Sequence, residues 1–400
     1  MAKGRTSRSR LGVYQDGPFT IVDSDLGTRL APHPVDAPFL RFVSGVAEHF
    51  EALVVFARVV DEPVAVHDLL LDADVEAVRL PDYGSLSRLG AVARATFGTG
   101  RALWRGLARV DVVWAFGPQP FELLLVLLAT LRGKRVVLGV RQDTRAYFAA
   151  RQPDPSWKPV VALALVLDTL HRVIARRVRS TVVGSLNARR YAGGRAPVLT
   201  MSPTLVTAAD IVEELPARDW SGVVELLTVG RIDREKNPFL LIEALRELER
   251  LRPGRFRLRW AGTGPLAEQV RRRADELGVG ERLELLGHVR IPALFDVYRS
   301  AHLFVHVSLT EGVPQVIVEA HASGAPVVAT EVGGVAEAVA GGAAGLLVPA
   351  SDLHALTGAV LRLTDDGALR RRLAARGLEL ARDRTLEAEA ARVAHFIREP

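Results

Sequence analysis

The sequence contains no cysteine, which excludes a disulfide framework, a thiolate metal site and a catalytic thiol. It has no long apolar run either. Wholly apolar stretches such as LLLVLLA, residues 123–129, are far shorter than the roughly 20 residues that span a bilayer, so no transmembrane helix is expected. The amino terminus, MAKGRTSRSR, is basic but leads into LGVYQDG with no apolar segment of signal-peptide length, and a cytoplasmic protein is expected. Aromatic residues make up only 6% of the chain and the arginines are dispersed, so the net charge of +6 carries no aromatic–basic array for nucleic acid. Lysine is scarce, standing only at positions 3, 134, 158 and 236 in a chain that otherwise uses arginine, and each retained lysine invites a question.

What is present is a globular composition, 48% apolar with both charge signs mixed, over 400 residues. That length exceeds one ordinary core, and two domains follow. From about Val223 onward, short apolar runs alternate with helix-period segments: VVELLTV, FRLRW, LELLG, HLFVHV and PVVAT read as strands of a parallel sheet. The helix after VVELLTV repeats apolar residues at Leu241, Ala244, Leu245 and Leu248, with Asn237 and Pro238 fitting an N-cap and first helical position. LGVYQ, ALVVFARVV, DVVWAF, RVVLGV and STVVGS give the first half the same rhythm. The fold class is therefore α/β, two Rossmann-like domains with parallel sheets facing across a cleft. The expected division is 1–205, a linker at 206–222, and 223–400, with the last helix near residues 385–398 able to pack back on the first domain.

Two stretches carry most of the chemistry. In GRIDREKN, residues 230–237, a strand ends and a helix begins, so free N–H groups and the helix dipole favour an anion. Arg231 and Lys236 add a planar fork and a point charge, a pair suited to a diphosphate; Arg231 could equally pair with Asp233 or Glu235. TEGVPQVIVEA, residues 310–320, sets Glu311 and Glu319 at two ends of an apolar segment. With Pro314 as the first helical position, the carboxylates stand on the order of 10 Å apart, too far to share a proton. That separation also fits poorly the ~5 to 5.5 Å pair of a retaining glycosidase. Two acceptors gripping two hydroxyl-bearing parts of one extended ligand fit better. AGTGP, residues 261–265, is a weaker sign: Gly262 admits a ligand or a tight turn, and the full G-x-G-x-x-G spacing of a nicotinamide-cofactor site is missing.

VGRIDREKNPFLLIEAL, AGTGPLAEQV, LELLGHV and LTEGVPQVIVEAHASGAPVVATEVGGVAEAV, in this order, resemble the retaining nucleotide-sugar glycosyltransferases of family four, which have the GT-B fold. The likeness runs from about Val223 to Leu380. It implies a carboxyl-terminal domain that holds a nucleoside-diphosphate sugar, an unidentified acceptor, and retention of anomeric configuration, with no cofactor and no metal. By the same resemblance Arg231 and Lys236 match a diphosphate clamp, Glu319 the carboxylate that holds ribose hydroxyls, and Glu311 the one that faces the donor sugar. The backbone of Gly312, Val313, Pro314 and Gln315 would lie near phosphates and sugar, and His288 and Val289 near the base. A catalytically silent nucleotide-sugar-binding partner subunit and a GT-B sugar-nucleotide epimerase are the alternatives. ALALVLDTLHRVIARRVRS, residues 162–180, is basic and apolar: its apolar residues suit packing on the first domain's sheet, and the alternative is peripheral contact with the inner face of a membrane, as in lipid-modifying relatives.

In the first half the likeness is confined to rhythm, and the glycine pair often found after the first strand is absent. Asp16, Gly17, Arg141 and Asp143 follow expected strands and are candidates for the acceptor side of the cleft. Asp23 with Asp25, and Asp72 with Asp74, have a D-x-D spacing, but such pairs arise often by chance. His302 and His306 lie four apart in what reads as a strand and lack the glutamate of a metalloprotease helix.

Overall fold

The computed structural model describes residues 9–24, 27–32, 37–60, 75–82, 89–141, 144–145, 148, 157–291 and 293–399. The chain divides into two compact units, one of Met1–Phe148, Gln152–Pro203 and Glu387–Pro400, the other built on Thr204–Leu386.

The first unit is a sheet in the order β4-β3-β1-β5-β6-β7-β8, with β2 paired to β1. Its strands are β1 (Leu11–Ser24), β2 (Gly27–Pro32), β3 (Leu53–Val59), β4 (Glu76–Leu80), β5 (Val112–Gly117), β6 (Arg135–Val140), β7 (Ser180–Val183) and β8 (Val198–Met201). All neighbours are parallel except β1 and β2. Leu11, Val13, Phe56, Val112, Val113, Trp114 and Leu138 are fully buried, as expected of strands covered on both faces. β1 does not stop where a loop would begin: its register against β3 shifts between Tyr14 and Pro18, and the strand then continues into the antiparallel pair with β2.

The second unit is a six-stranded parallel sheet in the order β11-β10-β9-β12-β13-β14. Its strands are β9 (Val224–Val229), β10 (Phe256–Ala261), β11 (Leu283–Gly287), β12 (Leu303–His306), β13 (Val327–Thr330) and β14 (Leu346–Val348). The helix Pro238–Leu251 buries Leu241, Ala244, Leu245 and Leu248, the stripe its spacing predicts, against Leu226, Phe256 and Trp260. Its start differs in detail from the expected N-cap. Asn237 adopts φ 47°, a left-handed conformation that asparagine tolerates, and its side chain makes no cap bond. The capping acceptor is instead Asp233, whose side chain takes the Lys236 N–H at the short turn Arg234–Lys236.

Residues 204–222, which cover the expected linker, lie on the second unit. Thr204 and Val206 are fully buried, the Val212 N–H donates to the Ala322 carbonyl at 2.9 Å, and the half-buried Arg218 guanidinium donates to the Gly324 and Ser323 carbonyls. The helix Leu386–Arg398 packs on the first unit. Ser202 N–H donates to Glu389 at 2.7 Å, Arg392 to the Thr200 carbonyl, Arg135 to the Arg398 carbonyl, and the Arg179 guanidinium lies over the Phe396 ring.

Candidate active site

In the second sheet β10 and β11 extend to one side of β9, and β12 to β14 to the other, so the winding reverses between β9 and β12. Open parallel sheets bind ligands at the carboxyl ends of the strands at such a point. The loops that leave there carry GRIDREKN and SLTEGVP, and each leads to the positive end of a helix, Pro238–Leu251 or Gln315–Ala322.

The two loops meet through side chains. Lys236 Nζ lies 2.5 Å from Glu311 Oε1, Ser308 Oγ donates to the same oxygen at 2.7 Å, and His306 Nε2 stands 3.0 Å from it. Burial alone would raise the Glu311 carboxyl, but Lys236 and the His306 contact outweigh it and hold the group well below the usual carboxylate range. Glu311 is thus a fixed anion. The segment is held in turn from β13: Thr330 Oγ1 donates to the Ser308 carbonyl at 2.8 Å, and the turn after the strand presses on it. At Gly333, φ 51°, a Cβ would fall 1.9 Å from the Glu311 carbonyl oxygen, and at Gly334 2.0 Å from that of Gly312, so only glycine permits this approach.

Arg231 is placed differently from Lys236. Its guanidinium is exposed and pairs with Asp233 at 3.1 Å and Glu235 at 3.0 Å, the pairing left open from the sequence. Gly262 serves backbone packing: a Cβ there would lie 2.0 Å from the Gly230 carbonyl oxygen, and the Ile232 N–H donates to the Thr263 carbonyl at 2.9 Å. The loops after β9 and β10 are zipped together in this way.

The helix Gln315–Ala322 begins one residue later than the sequence suggests, because Pro314 is extended at φ −73°, ψ 115°. Gly312 and Gln315 are half-buried and Val313 is buried before it. Glu319 is buried on this helix, where its Oε2 accepts the Tyr298 hydroxyl at 2.8 Å. Desolvation is the largest influence on Glu319, opposed by the Tyr298 bond and assisted by the charge of Asp210, and the carboxyl is pushed up to about 7. His288, exposed, and Val289, half-buried, directly follow β11.

In the first unit Asp16 and Gly17 lie at the register shift of β1. Asp16 accepts the Tyr14 hydroxyl at 3.0 Å, and the Arg58 guanidinium donates to its carbonyl. Arg141 follows β6 with its guanidinium over the Phe39 ring. Asp143 lies outside the described residues, as do Asp25, Asp72 and Asp74.

His306, Ser308 and Tyr298 were missing from the sequence-derived site. A signal for the first two existed: strand alternation puts 304, 306 and 308 on one side of the chain leading to Glu311. His302 is engaged elsewhere, its Nε2 2.9 Å from the Asp219 carbonyl and its Nδ1 accepting the Glu225 N–H. Among the described residues no three His, Asp or Glu side chains converge as a metal site.

Residues 221–379 match the family described as Glycosyl transferases group 1. This stretch is a glycosyl transferases group 1 domain. The group 1 domain contains every site residue of the second unit named above. The chain is 38% identical over 170 residues to the D-inositol 3-phosphate glycosyltransferase of Corynebacterium glutamicum (strain R), a match covering 41% of this chain and 41% of that protein. It therefore spans about two fifths of that relative's length. Two solved structures share the fold over nearly the whole chain. Sucrose-phosphate synthase from Thermosynechococcus elongatus superposes with a TM-score of 0.72 at 19% identity, covering 98% of each chain. Anabaena HepE in complex with UDP and glucose superposes with a TM-score of 0.65 at 17% identity, covering 97% of this chain and 98% of that one. The two largely parallel sheets and their helices have the GT-B fold of these structural neighbours.

Proposed function

We propose that this chain transfers a sugar from a nucleoside-diphosphate sugar to an acceptor hydroxyl with retention of anomeric configuration. The observation that carries the reading is the Lys236–Glu311 contact at the switch point of a group 1 domain, a cation and a fixed anion side by side where the sheet offers a ligand site. The relative that binds UDP and glucose supports the donor class.

In this reading Lys236 and the helix start at Pro238 meet the diphosphate, and Arg231 exchanges Asp233 and Glu235 for phosphate oxygens. The bond from the anomeric carbon to the diphosphate oxygen breaks, the acceptor oxygen bonds to that carbon from the same face, and the acceptor proton passes to the leaving phosphate. Catalysis rests on stabilising the charge that grows on the diphosphate, a role for Lys236 and Arg231 with no metal and no cofactor called for. Glu311 faces the donor sugar, and Glu319 accepts the ribose hydroxyls with its proton displaced. The base lies by His288 and Val289, and Asp16, Gly17 and Arg141 belong to the acceptor side.

The reading extends to work at an anionic membrane face. Residues 83–110 and 123–142 contain no Asp or Glu. The helix Leu89–Gly106 exposes Arg94, Phe97, Arg101, Trp104 and Arg105 at helical spacing, Phe97 being 82% exposed, and the neighbouring helix Pro120–Leu131 exposes Leu127 and Leu131. The expected basic helix also contributes, with Val166, Leu170 and Val173 exposed on Lys158–Ala175. Arginine beside apolar and aromatic side chains suits an anionic interface. Sedimentation with phosphatidylglycerol vesicles but not phosphatidylcholine vesicles, lost in Phe97→Ser/Arg101→Glu, is the expected result.

The central test is a thermal-shift screen with UDP, GDP, ADP and TDP and their sugars, followed by turnover with the sugar that stabilises most. A stabilising donor whose turnover is unchanged in Lys236→Ala and Glu311→Ala would sink the proposal. Binding without turnover or hydrolysis would favour a silent partner subunit, and a new nucleotide sugar formed with no acceptor would favour an epimerase.

A further inference from the structure

We infer that His306 is a positioning residue for Glu311: with Ser308 and Lys236 it occupies Oε1, so that Oε2 is the oxygen offered to the donor sugar. The inference rests on the reading of this site as a nucleotide-sugar site.

Lys236 and Ser308 donate to one oxygen at 2.5 and 2.7 Å, the buried His306 Nε2, which has no other hydrogen-bond partner among the described residues, stands 3.0 Å from the same oxygen, and none of these contacts falls on Oε2. They differ in stiffness. Lys236 ends a four-carbon stem and Ser308 offers a rotating hydroxyl, whereas His306 brings a rigid ring from β12 and is 2% exposed. Its plane is further set by Phe304, whose ring stacks 6.3 Å away at 17°, and its register partner on β13 is the small Ala329. To donate to a carboxylate, Nε2 must carry a proton, in the Nε2–H tautomer or in the cation.

The stiffness matters once a diphosphate arrives. Lys236 is then drawn toward phosphate oxygens and shares its N–H groups between two anions. Held only by a lysine and a hydroxyl, the Glu311 carboxylate can turn and exchange its oxygens. Held also by His306, it keeps Oε1 inward. His306 therefore acts on turnover rather than on donor capture, since it does not touch the donor itself.

The experiment compares the wild-type chain with His306→Leu and His306→Gln, the second restoring an N–H near the position of Nε2. Melting temperature, kcat and donor KM are measured with the donor found by the nucleotide screen, and the Glu311 side-chain carboxyl is titrated by carbon NMR. His306→Leu should lower kcat about tenfold with KM within about twofold, as expected for loss of one hydrogen bond to a charged group. His306→Gln should recover most of kcat, and the Glu311 midpoint should rise in His306→Leu. Equal kcat in wild type and His306→Leu would overturn the inference. So would a Gln variant no better than Leu when both melt as wild type does, or an unmoved Glu311 titration. A wild-type chain that turns over no nucleotide sugar would instead sink the transferase reading, and the carboxyl titration would still decide whether His306 holds Glu311.

Discussion

The two sheets wind alike and differ in what stands where the winding reverses. Each runs outward from its first strand in both directions, β1 beside β5 in one and β9 beside β12 in the other. In the second unit both central strands end sharply, at Gly230 and after His306, and their loops bring Lys236 to Glu311 with part of each side chain in reach of solvent, 21% and 12%. In the first unit β1 runs on through Asp16 and Gly17 toward β2. β5 ends at Gly117, where a Cβ would lie 2.4 Å from Glu122 Oε2 and 2.6 Å from His171 Nδ1. Those two groups pair at 3.1 Å with both side chains fully buried. One switch point presents a cation–carboxylate contact to a ligand; the other closes over a buried glutamate–histidine pair. Strand order locates a site, and the loops decide whether anything can enter it.

Substitution can sharpen that contrast. Lys236→Ala should lower kcat about 10² to 10³-fold, the scale of removing one donor aimed at developing negative charge. Glu122→Ala should leave kcat within about threefold while lowering stability, read by urea unfolding. Equal losses of turnover in both variants would break the comparison.

Next in size is a pH effect confined to the second unit. The folded Glu319 carboxyl, raised from 4.5 to about 7, keeps its proton to higher pH than the unfolded chain does. The stability it adds is therefore full below the ordinary carboxylate range and is lost as pH rises to about 7, a linkage of about 3 kcal/mol. Glu319→Gln should flatten the fall of unfolding free energy between pH 4.5 and 7; an unchanged slope would assign the effect to another group. On the donor side, affinity should weaken below pH 7 in the wild type, because the ribose hydroxyls require the charged form, and Glu319→Gln should abolish that dependence.

The smallest expected effect is that of Glu122→Ala itself, about 1–3 kcal/mol for a buried polar partner left unsatisfied at His171. A loss near zero would mean that water enters beside Gly117.

Much of the second unit was legible because its strands are buried on both faces and its helices carry clean apolar stripes. The strands missed there and in the first unit, β4, β8 and β14, are short and stand at or next to a sheet edge, where the apolar run that marks a buried strand is brief. The continuation of β1 into β2 was hidden too, since DGPFT has the residues of a turn and the structure uses them as a bulge. Lys236 was conspicuous by rarity and Glu311 by its place in a familiar motif. That they touch, 75 positions apart, is a property of the sheet order and not of either loop. His306 had only an alternation to announce it, and Gly333 had no signal short of knowing which carbonyl it would meet.

The helix Leu386–Arg398 has a consequence for synthesis. The second unit is an insertion within the first, entered after Pro203 and left at Leu386, so on the ribosome it emerges whole while the first still lacks a piece. Ser202 and Thr200 must wait for 187 and 192 further residues, and Arg135 for 263, before their partners on that helix exist. The nascent chain therefore completes its later-made unit first, and closing the earlier one is its last folding event.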